Sequence, residues 1–151
     1  MYQSVATPRA ESERIPVPKA MKIGYDALIE AARREIEEIE PDQLMAAMDT
    51  GEIVIVDVRD IREVDRDGRI PGSFHCPRGM LEFWIDPASP YFKQIFGESK
   101  RFVFSCTLDW RSALATQTAQ RMGLTNVAHL KGGFKAWKAA GGAVEMVTET
   151  A

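Results

Sequence analysis

A cysteine and an arginine with four residues between them are the most chemically pointed feature of this chain. The segment reads Phe102-Val103-Phe104-Ser105-Cys106-Thr107-Leu108-Asp109-Trp110-Arg111-Ser112-Ala113-Leu114-Ala115. A short apolar run ends at Cys106, and an alanine-rich helical pattern opens at Arg111. That order predicts strand, tight loop and helix, with Cys106 just before the helix N-terminus. Unpaired backbone N–H groups and the positive end of the helix dipole gather there and favour a thiolate or an anionic ligand. A cysteine so positioned reads as a sulfur nucleophile. Arg111, permanently charged and carrying a forked donor set, would favour the thiolate and hold an oxyanion of a substrate.

Other candidates are weaker by type and spacing. The chain has two cysteines, Cys76 and Cys106, fewer than a secreted disulfide scaffold normally uses. His75 and Cys76 are neighbours, but no second pair stands at metal-ligand spacing, so no metal is expected. Cys76 has no basic neighbour closer than Arg78 and reads as structural; a redox pair with Cys106 has no spacing signal. His129 reads as a strand residue satisfied by backbone rather than a general base. A length of 151 residues suits one domain. A net charge of −3 excludes the strongly basic footprint of a nucleic-acid binder. No apolar run approaches the roughly 20 residues of a membrane span. The first residues lack the apolar core of a secretory signal, which makes the cytoplasm the expected location.

The elements that must position Cys106 alternate between strands and helices. Residues 1 to about 19 hold three prolines and few large apolar groups and read as a tail. Ile23, Ala27, Leu28, Ala31 and Ala32 then predict a helix from about Lys19 to Arg34. Glu37 to Glu40 reads as a short edge strand, and Pro41 opens a helix to about Met48. Ile53-Val54-Ile55-Val56-Asp57-Val58 is β-branched without polar alternation, the mark of a strand buried on both faces of a parallel sheet. A turn at Gly68–Ser73 leads to a short strand near Phe74. Between Gly79 and Phe96 two short helices surround an irregular turn; Phe83-Trp84 and Tyr91-Phe92 there read as core, or as a wall of the pocket. After the Cys106 loop come a helix ending at Gly123, a strand at Val127–Leu130, a Gly132-Gly133 turn, and a helix from Phe134 to Ala140. This is an α/β pattern with a mostly parallel sheet, whose ligands bind at the carboxyl ends of strands, where Asp57 and Cys106 fall.

Four motifs in this order resemble a single-domain rhodanese: Asp57-Val58-Arg59; Gly68-Arg69-Ile70-Pro71-Gly72-Ser73; Cys106 through Arg111-Ser112; and Gly132-Gly133-Phe134-Lys135-Ala136-Trp137 with Gly141-Gly142. The resemblance divides the chain into a tail and added helix over 1–36, a rhodanese-like domain over 37–147 and a tail over 148–151. It implies a three-layer domain with a central five-stranded sheet flanked by helices, and sulfurtransferase activity. Cys106 would take the outer sulfur of a donor such as thiosulfate or a persulfide and pass it, as a cysteine persulfide, to cyanide or a thiol. Thr107, Leu108, Asp109, Trp110 and Arg111 would form the substrate loop, with Asp57, Arg59 and Ser112 in support. No metal or organic cofactor is implied. The runners-up are a rhodanese-fold binding or sulfur-relay module without turnover and, further behind, a cysteine phosphatase or arsenate reductase. Those last families have five residues between cysteine and arginine, and the four here make a smaller ring that suits sulfur better than phosphate.

One position departs from the family pattern. The place of Asp109 is commonly glycine, and the loop middle usually carries small residues rather than Thr107-Leu108-Asp109. At about 6 Å and an effective dielectric near 20, a like charge beside the thiolate costs roughly 2–3 kcal/mol. The helix dipole returns about 0.3–1 kcal/mol. The favoured reading makes Asp109 the helix N-cap, its carboxylate on the N–H of Arg111 or Ser112. On either reading thiosulfate is expected to be a poor donor. The face at Ile23, Ala27 and Ala31 suits packing on the same domain or on a second copy, so a homodimer is considered.

Overall fold

The computed structural model describes residues 16–147; the tail read from the sequence lies outside them up to residue 15, as do residues 148–151. Five strands run parallel in one open sheet, in the order β1 (Glu37–Ile39), β5 (Val127–Leu130), β4 (Arg101–Ser105), β2 (Ile53–Asp57), β3 (Phe74–His75). The sheet is parallel throughout, and its central strand is the one that leads to Cys106.

Strand pleating sends successive side chains to opposite faces, so each central strand feeds two cores. Phe102 and Phe104 of β4 join Val56, Leu81, Ala115 and Ala119 on one side. Val103 joins Ile55, Leu44, Leu130, Phe134 and Trp137 on the other. Helices α4 (Leu81–Ile85) and α5 (Trp110–Met122) cover the first face; α2 (Pro41–Met48) and α6 (Gly133–Ala139) cover the second. The result is the three-layer α/β arrangement that the motifs imply.

Three local expectations change. The first helix, α1 (Tyr25–Glu35), starts later than its apolar spacing suggests. It buries Ile29 and Ala32 against Ala113 of α5, while Ile23 and Ala27 are exposed and Ala31 is half-buried. The face expected from Ile23, Ala27 and Ala31 is therefore rotated away from the packed one. A further helix, α3 (Ile61–Asp67), occupies a charged stretch with only two apolar residues, too few for a periodic signal. Its start is set by a reciprocal cap: Asp60 accepts from the Arg62 N–H, and Glu63 accepts from the Asp60 N–H. The aromatic run divides. Trp84 packs on Phe74, and Phe92 lies against the same core, whereas Phe83 and Tyr91 are exposed. Among the described residues, no helix is long and apolar enough to cross a membrane.

Candidate active site

The site is built at the carboxyl end of β4, where the chain leaves the sheet centre. Val58 N–H donates to the Ser105 carbonyl at 2.9 Å, tying the end of β4 to the chain just beyond β2. The next two carbonyls are held by the first turn of α6. Phe134 N–H donates to the Cys106 carbonyl at 2.7 Å, and Lys135 N–H to that of Thr107 at 3.1 Å. This close approach requires glycine at position 133: its φ is +66°, and a Cβ there would stand 2.5 Å from both carbonyl oxygens. The Gly132-Gly133 motif is thus the outer brace of the loop.

With those carbonyls held outward, two amides turn inward. The backbone N–H groups of Asp109 and Ser112 donate to Cys106 Sγ at 3.2 and 3.3 Å. The sulfur has two directional donors beside the N-terminus of α5, an environment that stabilises negative charge on it. Cys106 is only 1% exposed, so its sulfur forms the floor of the site rather than projecting from it. Above it opens a cleft of about 340 Å³ lined by Glu63, Cys106, Thr107, Leu108, Trp110 and Arg111. Leu108 and Trp110 are half-exposed, and the Trp110 ring packs against Tyr25 of α1 at 5.1 Å between centroids.

Arg111 is not a free fork. Its Nη1 and Nη2 donate to Glu63 Oε2 and Oε1 at 2.7 and 3.0 Å, and Thr107 Oγ1 donates to Glu63 Oε1 at 3.2 Å. The Arg111 hydrogen bonds hold the Glu63 carboxyl well below its ordinary range, at about 2, and Glu63 in turn raises the Arg111 pKa. The rim of the cleft therefore carries a closed ion pair.

Asp109 stands at the N-cap position but does not cap with its side chain. The Ser112 N–H that it was expected to take donates to Cys106 Sγ instead. The residue adopts left-handed geometry, φ 87° and ψ 0°, which turns the carboxylate to the outer side of the loop. There it accepts from the Gly132 N–H at 2.7 Å and from the Arg33 guanidinium of α1.

Asp57 and Arg59 lie below the loop as a buried pair. Arg59 Nη2 donates to Asp57 Oδ2 at 2.7 Å and to the Gly68 carbonyl at 2.8 Å. The guanidinium lies 4.5 Å over the ring of Phe134, the residue whose N–H holds the Cys106 carbonyl. Ser112 is buried, its Oγ donating to the Asp109 carbonyl at 3.2 Å and pairing with His129 Nδ1 at 3.2 Å. His129 Nε2 pairs with Glu38 Oε2 at 2.8 Å, so side chains and not the backbone satisfy this imidazole. Burial lowers the His129 pKa, with Glu38 partly opposing it. Cys76 is buried in the core and burial pushes its thiol up to about 12, leaving it protonated and inert.

Sequence reasoning missed Glu63, Arg33, Glu38 and the amide donors of α6. Glu63 had a usable signal, the Asp60-x-x-Glu63 capping box. The others pair residues far apart along the chain, with no local pattern. Among the described residues, no three His, Cys, Asp or Glu side chains gather as a metal site.

A family model of the rhodanese-like domain matches residues 40–140. The chain belongs to the rhodanese-like domain family. A mouse relative, thiosulfate sulfurtransferase/rhodanese-like domain-containing protein 3, is 31% identical over 100 residues, covering 63% of this chain and 64% of its own. The match thus spans less than two thirds of that relative's length. The structure of a Rhodopseudomonas palustris protein of unknown function, described as a possible tyrosine phosphatase, is 53% identical with a TM-score of 0.83, covering 86% of this chain and 100% of that one. A human single-domain sulfurtransferase is 25% identical with a TM-score of 0.58, covering 68% and 95%. In this rhodanese-like domain α1 precedes the matched segment, and with it come two residues at the site, Tyr25 and Arg33.

Proposed function

We propose that the protein is a sulfurtransferase that carries sulfane sulfur on Cys106. The observation that carries this reading is the pair of inward amides of Asp109 and Ser112 on Cys106 Sγ at the floor of the cleft. The Cys106 thiolate attacks the outer sulfur of a donor R–S–SH or of its anion R–S–S⁻. The new S–S bond forms as the old one breaks, and its electron pair leaves on R–S⁻. An acceptor thiolate, or cyanide in an assay, then attacks the outer sulfur of Cys106–S–SH and restores the thiolate. The recessed floor suits a reacting atom that is small and terminal, as a sulfane sulfur is. The loop amides that receive the thiolate also receive the inner sulfur of the persulfide, so little reorganises between the two half-reactions.

Charge at the cleft bears on the donor. With Arg111 committed to Glu63, the rim offers no unpaired cation, and Leu108 and Trp110 supply apolar wall. This favours an organic persulfide over the thiosulfate dianion and makes a cytoplasmic thiol a suitable acceptor. The possible-phosphatase description of the Rhodopseudomonas palustris protein supplies a second reading. A transferring phosphoryl group spreads charge over three oxygens and needs donors for each. A guanidinium tied at both Nη atoms and a loop of four intervening residues argue against it.

The experiment is intact-mass and peptide mass spectrometry after mixing with an alkyl persulfide or thiosulfate. One added sulfur on Cys106, absent in Cys106→Ala and present in Cys76→Ala, is expected. Hydrolysis of a generic aryl phosphate without any sulfur loading would favour the phosphatase reading instead.

A further inference from the structure

The helix that precedes the family segment reaches the reactive loop at two points, Tyr25 on the Trp110 ring and Arg33 paired with Asp109. We propose that Arg33 of α1 is a positioning residue for the Cys106 loop: by holding the Asp109 carboxylate on the outer side, it keeps the left-handed turn that aims the Asp109 N–H at Sγ. The proposal rests on the reading of Cys106 as a nucleophile, not on sulfur transfer as such.

Asp109 is the sole non-glycine residue with positive φ among the described residues. Left-handed geometry disfavours residues with a Cβ, least so Asp and Asn, and is held only where the surroundings over-determine it. Here they do so from two sides. Asp109 is 6% exposed; one carboxylate oxygen accepts from Gly132 N–H at 2.7 Å and the other from Arg33. The same residue donates its N–H to Cys106 Sγ, and its carbonyl accepts from Ala113 N–H at 3.0 Å to begin α5. One residue thus joins Arg33 to the sulfur with only its own backbone between them.

Arg33 also solves an electrostatic problem. A nearly buried carboxylate close to a thiolate opposes it, and removing the cation from such a pair leaves an uncompensated charge. The guanidinium neutralises Asp109 where solvent cannot. Its own position is fixed because α1 is docked along α5. Ile29 and Ala32 pack on Ala113, and Tyr25 lies on Trp110. Gln117 Nε2 donates to Glu35 Oε2 at 3.1 Å, and Gln120 Nε2 to the Glu35 carbonyl at 2.8 Å. Contacts advance in the same direction along both helices, so a shift of α1 would move Arg33 relative to the loop. A glycine in the place of Asp109 would need neither the carboxylate nor the cation.

The test is the rate of Cys106 alkylation by iodoacetamide as a function of pH in the full chain, followed by peptide mass spectrometry. The set comprises wild type, Arg33→Gln, Arg33→Lys, Asp109→Gly and the Arg33→Gln/Asp109→Gly double variant. Gln retains helix propensity, and thermal melts of each variant verify folding. Arg33→Gln is expected to slow alkylation at pH 7 by about tenfold and to move the pH profile upward, the size expected when a neighbouring charge loses its partner. Arg33→Lys should recover most of the rate. In the Asp109→Gly background, Arg33→Gln should change the rate by less than about twofold, since the group through which it acts is gone. A merely structural role for α1 would lower the melting temperature without moving the pH profile. An unaltered profile in Arg33→Gln overturns the proposal, and so does an equal slowing in both backgrounds. Alkylation needs no sulfur donor, so this result stands apart from success or failure of the transfer assay.

Discussion

Replacing Glu63 by Gln tests how the cleft selects its donor. Arg111 is tied to Glu63 by two hydrogen bonds of 2.7 and 3.0 Å, so the rim pair carries no net charge. Gln keeps the side-chain length and one acceptor for Arg111 but leaves the guanidinium charge unbalanced. The gain in attraction scales with donor charge, and thiosulfate carries one more negative charge than an alkyl persulfide anion. At about 6 Å, with an effective dielectric near 40 for an open cleft, each extra charge is worth ~1.4 kcal/mol, or about tenfold. The expected outcome is a tenfold shift of the kcat/KM ratio toward thiosulfate, shrinking as salt is added. The assay is initial-rate sulfur transfer from each donor to a common acceptor at low and high ionic strength. A ratio that does not move, with Arg111 still required for turnover, would refute the claim that Glu63 sets donor charge. The ratio in wild type should be flat across neutral pH. Glu63, lowered from 4.5 to about 2, is ionised throughout that range, and its contribution is lost only as pH falls below 4.5 toward 2.

Three further outcomes follow from the same geometry. Asp57→Asn removes the charge partner of a buried guanidinium, and breaking such a pair costs about 3 kcal/mol or more; urea denaturation should show this loss, whereas a near-neutral result would mean that the Phe134 ring and the Gly68 carbonyl suffice for Arg59. Gly133→Ala forces a Cβ onto the Cys106 and Thr107 carbonyls, so Cys106 alkylation and protein stability should both drop; a wild-type alkylation rate would show that the α6 brace does not hold the loop. Burial lowers the His129 pKa from 6.5, so below about pH 6.5 the unfolded chain takes up a proton that the folded one resists, and stability present at higher pH is lost on acidification. Urea midpoints at pH 7.5 and 5.5 should differ in wild type and converge in His129→Asn; an unchanged difference assigns the slope to another group.

The reactive loop was legible because its signals are local. A β-branched and aromatic run, a cysteine and an alanine-rich helix occupy fourteen consecutive residues, and strand and helix periods differ enough to mark the boundary at Cys106. The same holds for β2, whose unbroken apolar run announces burial on both faces. Helix α3 was not legible by periodicity, since Ile61 and Val64 stand alone among charges, and Glu63 was overlooked with it. The orientation of Asp109 was misread because capping is a local preference, and its actual partner, Arg33, lies 76 residues away. Likewise Glu38 meets His129 across 91 residues, a pairing set by β1 lying beside β5 and not by any nearby motif. The face of α1 was misjudged by one or two positions for a related reason: small alanines recur on more than one side of that helix, and only the docking on Ala113 selects the side that is buried.

A sulfur carrier must both accept a sulfur atom on Cys106 and give it up. The most direct measurement of both steps is a single-turnover transfer with an alkyl persulfide whose outer sulfur is isotopically labelled. The loaded protein is freed of donor and then mixed with an acceptor thiol. One labelled sulfur per chain is expected on the Cys106 peptide before mixing and on the acceptor afterwards, with none carried by Cys106→Ala. Label that never enters Cys106, or that reaches the acceptor equally well in Cys106→Ala, would contradict that role.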